Sequence, residues 1–598
     1  MKYTCVQKGG GPIRQGFNSS EAHTMQFLLL FWLLLSLLNA SETANAPAKP
    51  HIIFILADDL GFNDVGFHGS AQIPTPNIDA LAYSGIILNR YYVAPICTPS
   101  RSALMTGKYP IHTGMQHSVL YAAEPRGLPL HEKILPQYLN DLGYTSHIAG
   151  KWHLGHWKLE YTPLYRGFSS HVGFWSGHHD YNDHTAVEKH LWGLDMRNGT
   201  NVAYNLHGQY TTDVITRHSV SVIANHEAAM GPLFLYVSHA AGHSGNPYNP
   251  LPVSDDDVMK LNHIIHYKRR RYAAMVAKMD DSVGQIVEQL RKKNMLENSI
   301  IVFSSDNGGP AQGFNLNFAS NSPLRGVKNT LWEGGVRAAG LVWSPLLEKR
   351  RRVLDETMHI SDWLPTLMEA AGGHAALANL SQSLDGMSIW KTLVHDLPSP
   401  RKTVLHNIDD IWGSAALTVG DWKMIQGTNY NGRWDGWYGP AGERDPHLYD
   451  WNLVLKSRSG KEMVGLNMLP SRADQQRLRA AATVTCQGGS TQGASCVATA
   501  FSAPCLFRVR DDPCEQFNLA EQYPKVLELL RAELQHINTT VVPPSNQPDD
   551  PRASPMYFNY TWTNFGDYYD YTNEAVLKQS SVLMDNVEKT AKNKVIKF

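Results

Sequence analysis

Residues 52–61 read Ile52-Ile53-Phe54-Ile55-Leu56-Ala57-Asp58-Asp59-Leu60-Gly61, an uninterrupted apolar run that ends in two acidic residues. A short apolar run without polar alternation is typical of a strand that is buried on both faces of a parallel sheet. The polar residues after it indicate a loop at the carboxyl end of that strand. The stretch therefore predicts an α/β fold, with Asp58 and Asp59 at the edge of the sheet where ligands bind.

The same pattern of an apolar run that ends in polar residues recurs further along the chain. It is found in residues 144–149 before Gly150-Lys151-Trp152-His153, in residues 233–237 before His239 and His243, and in residues 300–304 before Asp306-Asn307-Gly308-Gly309. From Tyr272 to Leu290, apolar residues recur at three- and four-residue steps, which indicates a helix packed on a sheet. This order predicts a large, mostly parallel sheet flanked by helices, with the polar strand ends converging on one pocket.

The N-terminal residues have the pattern of a secretory signal. Basic residues precede an uncharged apolar run from Phe27 to Leu38, and Ala44-Asn45-Ala46 fits a signal-peptidase site. The apolar run is too short for a bilayer, which needs about 20 residues. We therefore predict a signal peptide at residues 1–46 and no transmembrane segment in the mature chain. An uncleaved signal anchor is the alternative.

Composition divides the rest of the chain into three segments. Gly372-Gly373 and the Ala-, Ser- and Asn-rich residues after it predict the end of a catalytic α/β domain at residues 47–375. Short strand-like runs and one helix predict a smaller α+β domain at residues 376–545. Residues 546–598 form a tail rich in Pro and aromatic residues. We expect this tail to fold back and bury its Tyr rings, with a sugar-stacking platform as the alternative.

The charge of the chain is balanced, with 53 Lys and Arg against 54 Asp and Glu. No overall field attracts nucleic acid, so local cations must hold any anionic ligand. With 43% hydrophobic and 18% charged residues, the composition excludes a disordered chain. The 27 His residues suggest a protein that works at acidic pH, because His gains charge near pH 6.5.

The cysteines and glycosylation sequons indicate an oxidising compartment. Four cysteines lie close together, at Cys486, Cys496, Cys505 and Cys514, and predict two disulfides with three possible connectivities. The N-x-[ST] sequons are at Asn198, Asn379, Asn538 and Asn559. We predict a protein of the secretory pathway that is lysosomal, secreted or retained in the endoplasmic reticulum. Cys97 is left over, and for a lone cysteine the ordinary interpretation is a small buried hydrophobic residue.

Several polar side chains at the strand ends have the chemistry of a metal site. Asp58, Asp59, Asp306 and Asn307 offer the hard oxygen ligands that Ca²⁺ prefers, and Mg²⁺ is possible. Asp58 and Asp59 alone would more often cap a helix, so the prediction depends on the whole set. His178, His179 and His184 suggest a transition-metal site, but without suitably spaced Cys or Glu partners we favour pocket-lining or polar loop residues.

Residues 97–108 carry the most specific motif of the chain. They read Cys97-Thr98-Pro99-Ser100-Arg101-Ser102-Ala103-Leu104-Met105-Thr106-Gly107-Lys108 and resemble the signature of the type I, formylglycine-dependent sulfatases. Other blocks similar to this family follow in order, at Gly150-Lys151-Trp152-His153-Leu154-Gly155, at Ser305-Asp306-Asn307-Gly308-Gly309, at residues 324–328 and at residues 331–337. The resemblance covers about residues 50–540. It is nearest to the arylsulfatase B type (N-acetylgalactosamine-4-sulfatase) and its arylsulfatase I and J relatives.

The resemblance implies a nucleophile made from Cys97. In this family a formylglycine-generating enzyme converts the motif cysteine to an aldehyde (3-oxoalanine). One hydroxyl of the aldehyde hydrate attacks sulfur and expels the alcohol, and the other then expels sulfate. Site residues carried over from the family are His153 as the base, Arg101 orienting the hydrate, Lys151 bridging sulfate and nucleophile, His243 and Lys328 at the leaving group, and position 97 completing the metal shell. Protonated His243 would favour acidic pH.

The substrate is implied less closely than the reaction. Enzymes like arylsulfatase B usually continue His-x-Pro-Leu, whereas this chain reads His243-Ser244-Gly245-Asn246-Pro247, so the wall beside the histidine differs. We expect hydrolysis of aryl sulfates and of N-acetylgalactosamine-4-sulfate in chondroitin or dermatan sulfate. One alternative is a phosphate or phosphonate ester hydrolase of the alkaline phosphatase superfamily, which shares the metal-and-strand-end layout. The other is an inactive homologue that binds sulfated glycans.

Overall fold

The structure is a computed structural model that describes residues 48–380, 382–440, 444, 447–486, 496–498 and 503–569. The predicted signal peptide and the end of the tail lie outside these residues. The described residues from Pro50 onward belong to one compact unit. Within the described part, no helix is both long enough and apolar enough to cross a membrane.

The β-strands of the described residues vary from two to seven residues in length. They are β1 (His51–Ala57), β2 (Ile86–Leu88), β3 (Tyr91–Tyr92), β4 (Thr145–Lys151), β5 (Ser170–Phe174), β6 (Thr185–Glu188), β7 (Leu191–Leu194), β8 (Arg197–Asn198), β9 (Asn201–Val202), β10 (Leu233–Ser238), β11 (Ser299–Ser305), β12 (Gly340–Trp343), β13 (Arg352–Leu354), β14 (Met358–His359), β15 (Thr403–Asp409), β16 (Ser414–Val419), β17 (Trp422–Gln426) and β18 (Cys505–Arg508).

The main sheet has ten strands in the order β13-β2-β12-β11-β1-β10-β4-β5-β8-β9. Its centre is parallel, with Ile55 of β1 aligned to Val237 of β10 and Phe303 of β11. Antiparallel pairs flank this centre, namely β11 with β12, β12 with β2, β5 with β8 and β8 with β9. The α/β class is confirmed, and the sheet is mixed around the predicted parallel strands.

The α-helices of the described residues lie between and around these strands. They are α1 (Pro76–Ser84), α2 (Cys97–Thr106), α3 (Leu135–Asp141), α4 (Thr211–Asn225), α5 (Asp255–Met259), α6 (Tyr267–Lys292), α7 (Glu333–Val336), α8 (Trp363–Ala370), α9 (His374–Leu380), α10 (Trp390–His395), α11 (Trp451–Lys456), α12 (Arg458–Gly465), α13 (Arg472–Ala482) and α14 (Pro524–Asn538).

Two hydrophobic cores lie on opposite faces of the main sheet. Because side chains alternate along a strand, Ile53 and Ile55 of β1 enter one core and Phe54 and Leu56 enter the other. The first core includes the apolar stripe of α6, which confirms the helix predicted there. The second core includes α8. With both faces covered, ligands reach the sheet only at its edges.

The smaller sheet has four antiparallel strands in the order β15-β16-β17-β18. Helix α14 covers it through Leu530 and Leu534, which pack on Leu417 and Leu506. This agrees with the predicted C-terminal α+β fold, and the boundary near residue 375 stays a prediction. The disulfides pair Cys486 with Cys514 and Cys496 with Cys505, which selects one of the three predicted connectivities.

The described part of the tail, residues 546–569, folds back onto the catalytic part of the chain. Trp562 and Phe565 are buried there, whereas Tyr557, Tyr560 and Tyr568 are each about 60% exposed. The prediction of a folded-back tail is therefore right, but the prediction that its Tyr rings are buried is wrong for these three. Trp562 and Phe565 present larger apolar surfaces to the core, while a Tyr hydroxyl left in water needs no buried partner.

Candidate active site

Cys97 is the first residue of α2 and lies at the floor of a cavity. Pro99 suits the first turn, where its fixed φ and missing N–H cost little. The Cys97 side chain is buried, with Sγ 3.6 Å from Asp58 Oδ1 and 3.9 Å from Asp59 Oδ1. Burial raises the pKa of the Cys97 thiol, so the unmodified sulfur stays protonated.

Arg101 follows one helical turn after Cys97, on the same face of α2. Its guanidinium donates to Asp306 Oδ2 at 2.7 Å and to Ser238 Oγ at 2.6 Å, and it lies 3.4 Å from Asp58 Oδ1. Burial opposes the charged form, but Asp306 and Asp58 outweigh it and raise the pKa of Arg101. The signature helix is thereby tied to the ends of β1, β10 and β11.

The acidic residues meet because their strands are parallel and in register. Ala57 of β1 aligns with Ser305 of β11, so Asp58 and Asp306 leave the sheet at the same edge. Asp59 has a φ of +59° and donates its N–H to Asp306 Oδ1 at 3.2 Å. A non-glycine residue in this region is uncommon and is held here by the surrounding contacts.

One group of side chains at this edge has the geometry to hold a metal ion. Ligand atoms of Asp58, Asp59, Cys97 and His243 lie within 4.8 Å of one another. Asn307 donates to Asp59 Oδ1 at 2.7 Å, and its own Oδ1 is buried with no hydrogen-bond partner. An unpaired buried oxygen on a side chain that contacts Asp59 fits a cation, because such an oxygen is otherwise costly.

Two lysines form ion pairs with this acidic group. Lys151 Nζ lies 2.7 Å from Asp58 Oδ2, and Lys328 Nζ lies 2.7 Å from Asp59 Oδ2, with all four side chains buried. Burial raises the pKa of Asp58, but Lys151 and Arg101 outweigh it, so the net shift is downward. Burial raises the pKa of Asp59 to about 6, because neighbouring carboxylates add to it and Lys328 only partly opposes it.

The two predicted catalytic histidines are both buried, in surroundings that disfavour their charged form. Burial, with Lys151 nearby, lowers the pKa of both His153 and His243 well below the ordinary value. His153 Nε2 donates to Leu120 O at 3.0 Å, so its unpartnered Nδ1 can accept a proton. His243 Nδ1 donates to Ser244 O at 2.7 Å, and its Nε2 accepts from Asn315 at 3.1 Å.

The cavity above Cys97 has a volume of about 380 Å³. Of the residues predicted from sequence, Cys97, His153, His243 and Lys328 line it, while Asp58, Asp59, Lys151, Asp306 and Asn307 are buried and are not among its lining residues. His178 also lines the cavity, and its ring stacks on His243 at 5.9 Å. This confirms the pocket-lining interpretation of His178. His179 and His184 instead contact Thr211 and Gln209.

Further lining residues come from β6, from the turn after it and from loops, and of these only the stretch after His243 was singled out from the sequence. They are Val119, Leu120, Tyr121, Gly177, Val187, Glu188, Lys189, Ser244, Gly245, Pro247, Pro250, Phe314, Asn315 and Leu316. The altered wall after His243 is held by Asn246, which donates to Thr185 O at 2.8 Å and accepts from Val187 N at 3.0 Å. This wall is thereby joined to the β6–β7 hairpin. The sequence signal for this wall was the departure from the family pattern directly after His243.

The profile of the sulfatase family matches residues 50–373, which is more than half of the chain. The chain belongs to the sulfatase family. This sulfatase is 38% identical to arylsulfatase J of Mus musculus over 537 residues, which cover 88% of this chain and 81% of the relative. It is 32% identical to N-acetylgalactosamine-6-sulfatase of Canis lupus familiaris over 418 residues, which cover 66% of this chain and 75% of the relative. The predicted family and its arylsulfatase J relatives are confirmed, and the sulfatase is a sulfuric ester hydrolase.

Solved structures show the same fold. The crystal structure of Ps i-CgsB in complex with k-i-k-neocarrahexaose matches with a TM-score of 0.63 and 27% identity, covering 83% of this chain and 94% of that chain. PsFucS1 sulfatase from Pseudoalteromonas sp. matches with a TM-score of 0.58 and 22% identity, covering 85% and 94%. At 22% identity, the match to PsFucS1 shows a shared fold and no more.

Proposed function

We propose that this sulfatase removes sulfate from N-acetylgalactosamine in chondroitin or dermatan sulfate and also hydrolyses aryl sulfates. The observation that carries the proposal is Cys97, a buried free cysteine at the cavity floor beside Asp58 and Asp59, the two carboxylates that pair with Lys151 and Lys328. N-acetylgalactosamine as the sugar is supported by relatives named N-acetylgalactosamine-6-sulfatase, and an oligosaccharide substrate is supported by the neocarrahexaose complex of a structural neighbour. The 4-position is our expectation from the resemblance.

The residues fit Ca²⁺ as the bound ion. Asp58, Asp59, Asp306 and Asn307 present hard oxygens, and the partnerless Asn307 Oδ1 is the observation that most favours a cation. These four side chains and position 97 would hold it. The bound ion and a formylglycine at position 97 would supply charge stabilisation and the nucleophilic hydroxyl, respectively.

The chain's own residues account for the movement of protons and charge. Nδ1 of His153 is the free acceptor for a hydroxyl proton at position 97, because Nε2 is committed to Leu120 O. Arg101 is fixed by Asp306 and orients the group at position 97. Lys151 and Lys328 offset the negative charge of an arriving sulfate.

His243 would give its proton to the leaving oxygen. In the structure its pKa is held low by burial and by Lys328. A sulfate bound beside it adds negative charge, which favours the protonated ring. We therefore propose that activity is greatest at acidic pH, in keeping with a secretory-pathway protein that works in lysosomes or after export.

The two alternatives are weaker. An inactive glycan binder is expected to lack a metal-ligating residue or the motif cysteine, and this chain retains Asp58, Asp59, Asp306, Asn307 and Cys97. A phosphate or phosphonate ester hydrolase remains the second candidate. The enzymes of that superfamily that use Ser or Thr differ at the residue that occupies position 97.

The test combines mass spectrometry and turnover. The protein is produced with the formylglycine-generating enzyme, and the peptide Tyr91–Arg101 is expected to show replacement of the Cys97 thiol by an aldehyde. Chondroitin 4-sulfate and chondroitin 6-sulfate disaccharides are then compared, with a phosphate monoester beside them. An intact thiol in a protein that hydrolyses only the phosphate ester would contradict the proposal. Faster hydrolysis of the chondroitin 6-sulfate disaccharide would contradict only the proposed 4-position of the sulfate.

A further inference from the structure

Lys189 lies at the mouth of the active-site cavity, in the turn between β6 and β7. Its side chain is 47% exposed, and its ammonium lies 4.6 Å from the centre of the Tyr121 ring, which also lines the cavity. Among the described lining residues, the other lysine is Lys328, which is fully buried and paired with Asp59. Lys189 is thus the lysine that an incoming substrate meets first.

The hairpin that carries Lys189 is held in place by the tail. The backbone of Leu194 donates to Tyr560 O at 2.8 Å and accepts from Trp562 N at 3.0 Å. The buried Trp562 ring donates from Nε1 to Ala186 O at 3.0 Å. Because these contacts anchor both strands of the hairpin, Lys189 is presented at a set position, and little order has to be gained on binding.

A carboxylate already occupies the place next to the Lys189 ammonium. Asp549 Oδ2 lies 2.5 Å from Lys189 Nζ, and Asp549 is 14% exposed with its Oδ1 buried and unpartnered. The pair shows that a carboxylate fits beside the ammonium of Lys189, which itself lines the cavity. Since the chain has a net charge of only −1, an anionic polymer depends on such local cations for its binding.

We propose that Lys189 is a specificity-determining residue that binds the carboxylate of the sugar next to the sulfated one, and that Asp549 holds this place in the free enzyme. The inference rests on the proposed function and deepens it. The substrate class becomes a sulfated oligosaccharide with an acidic neighbouring sugar, rather than a sulfated monosaccharide. The sulfate enters the cavity toward Cys97, and the neighbouring carboxylate displaces Asp549 at the mouth.

The first experiment compares two substrates of the intact enzyme, chondroitin 4-sulfate tetrasaccharide and 4-methylumbelliferyl sulfate. For Lys189→Gln, the ratio of kcat/KM for the tetrasaccharide to that for the aryl sulfate is expected to fall about fivefold, mostly through KM. Lys189→Arg should restore most of the ratio. Lys260→Gln is the matched control, because Lys260 is an exposed lysine paired with Asp257 outside this cavity.

A carboxyl-reduced tetrasaccharide identifies the group that Lys189 binds. With the wild-type enzyme, reducing the carboxyl group should lower kcat/KM for the tetrasaccharide about as much as Lys189→Gln does. The two changes together should lower kcat/KM no more than either alone. The salt dependence of KM should weaken in Lys189→Gln. An unchanged ratio, or an equal loss for the native and the carboxyl-reduced tetrasaccharide, would overturn the proposal.

The second experiment measures binding without turnover, using desulfated chondroitin tetrasaccharide and the same variants. Asp549→Asn frees Lys189, so it is expected to tighten binding about twofold, while Lys189→Gln weakens it. If Asp549→Asn weakens binding as much as Lys189→Gln does, the Lys189–Asp549 ion pair only stabilises the local structure, and the proposal fails. Because this measurement needs no hydrolysis, it reports on Lys189 even if the proposed activity on chondroitin is absent.

Discussion

Glu515→Gln is expected to remove a pH dependence of stability that arises where the small sheet meets the catalytic part of the chain. Lys423 Nζ of β17 lies 2.9 Å from Glu333 Oε1 of α7 and 2.9 Å from Glu515 Oε1, and all three side chains are fully buried. Glu515 Oε2 also accepts from Glu333 N at 2.7 Å. Glu333 also lies 3.6 Å from Arg337 and accepts a hydrogen bond from the Tyr92 hydroxyl at 3.2 Å.

Burial raises the pKa of Glu515 from 4.5 to about 7, with Glu333 adding to the effect and Lys423 opposing it. The folded chain therefore keeps a proton at pH values where the unfolded chain has lost it. The resulting stabilisation is complete below pH 4.5 and is lost as the pH rises through about 7. Because the pKa of Glu515 is higher in the folded chain than in the unfolded chain, this carboxyl contributes about 2 kcal/mol more to the free energy of unfolding at pH 5 than at pH 7.

The assay is urea unfolding of the wild type and Glu515→Gln at pH 5 and pH 7. Gln cannot titrate, so the difference in unfolding free energy between the two proteins isolates this carboxyl. We expect the wild type to lose about 2 kcal/mol relative to the variant between pH 5 and pH 7. Glu521→Gln, at an exposed glutamate, is the control for removing one carboxylate. A difference that stays constant or moves the other way would refute the reasoning.

Two further predictions concern contacts between distant segments. Asp280 of α6 accepts from Asn77 N, Asn77 Nδ2 and Ile78 N at the start of α1, whose N-cap residue makes no side-chain cap bond. Asp280→Ala should therefore cost about 3 kcal/mol in urea unfolding, because buried donors lose their acceptor, whereas Asp281→Ala, at a side chain of α6 that is 55% exposed, should cost under about 0.5 kcal/mol. Trp562→Ala should speed hydrogen exchange at the Leu194 amide about a hundredfold, since a buried ring worth about 3 kcal/mol is lost from the hairpin. Trp562→Phe should show a smaller change, and equal exchange in both variants and the wild type would contradict the prediction.

The strands and helix that build the floor of the site were predictable because their patterns are local. The apolar runs of β1, β10 and β11 and the helical spacing of α6 each report that one element is buried. Parallel strands end at one edge, so the meeting of Asp58 with Asp306 followed from the runs themselves. Cys97 and Arg101 followed from a contiguous motif, in which one helical turn places both on the same face.

The mouth of the site could not be predicted in the same way. The β6 and β7 strands have four residues each, too few for a periodic pattern, and Lys189 and Asp549 are separated by 360 residues. The same holds for the disulfide pairing and for the place of β2, β12 and β13 at one end of the strand order of the main sheet. A local pattern records how deeply a residue is buried. The choice of a distant partner depends on competition among many chain segments, and only the packed structure resolves that competition.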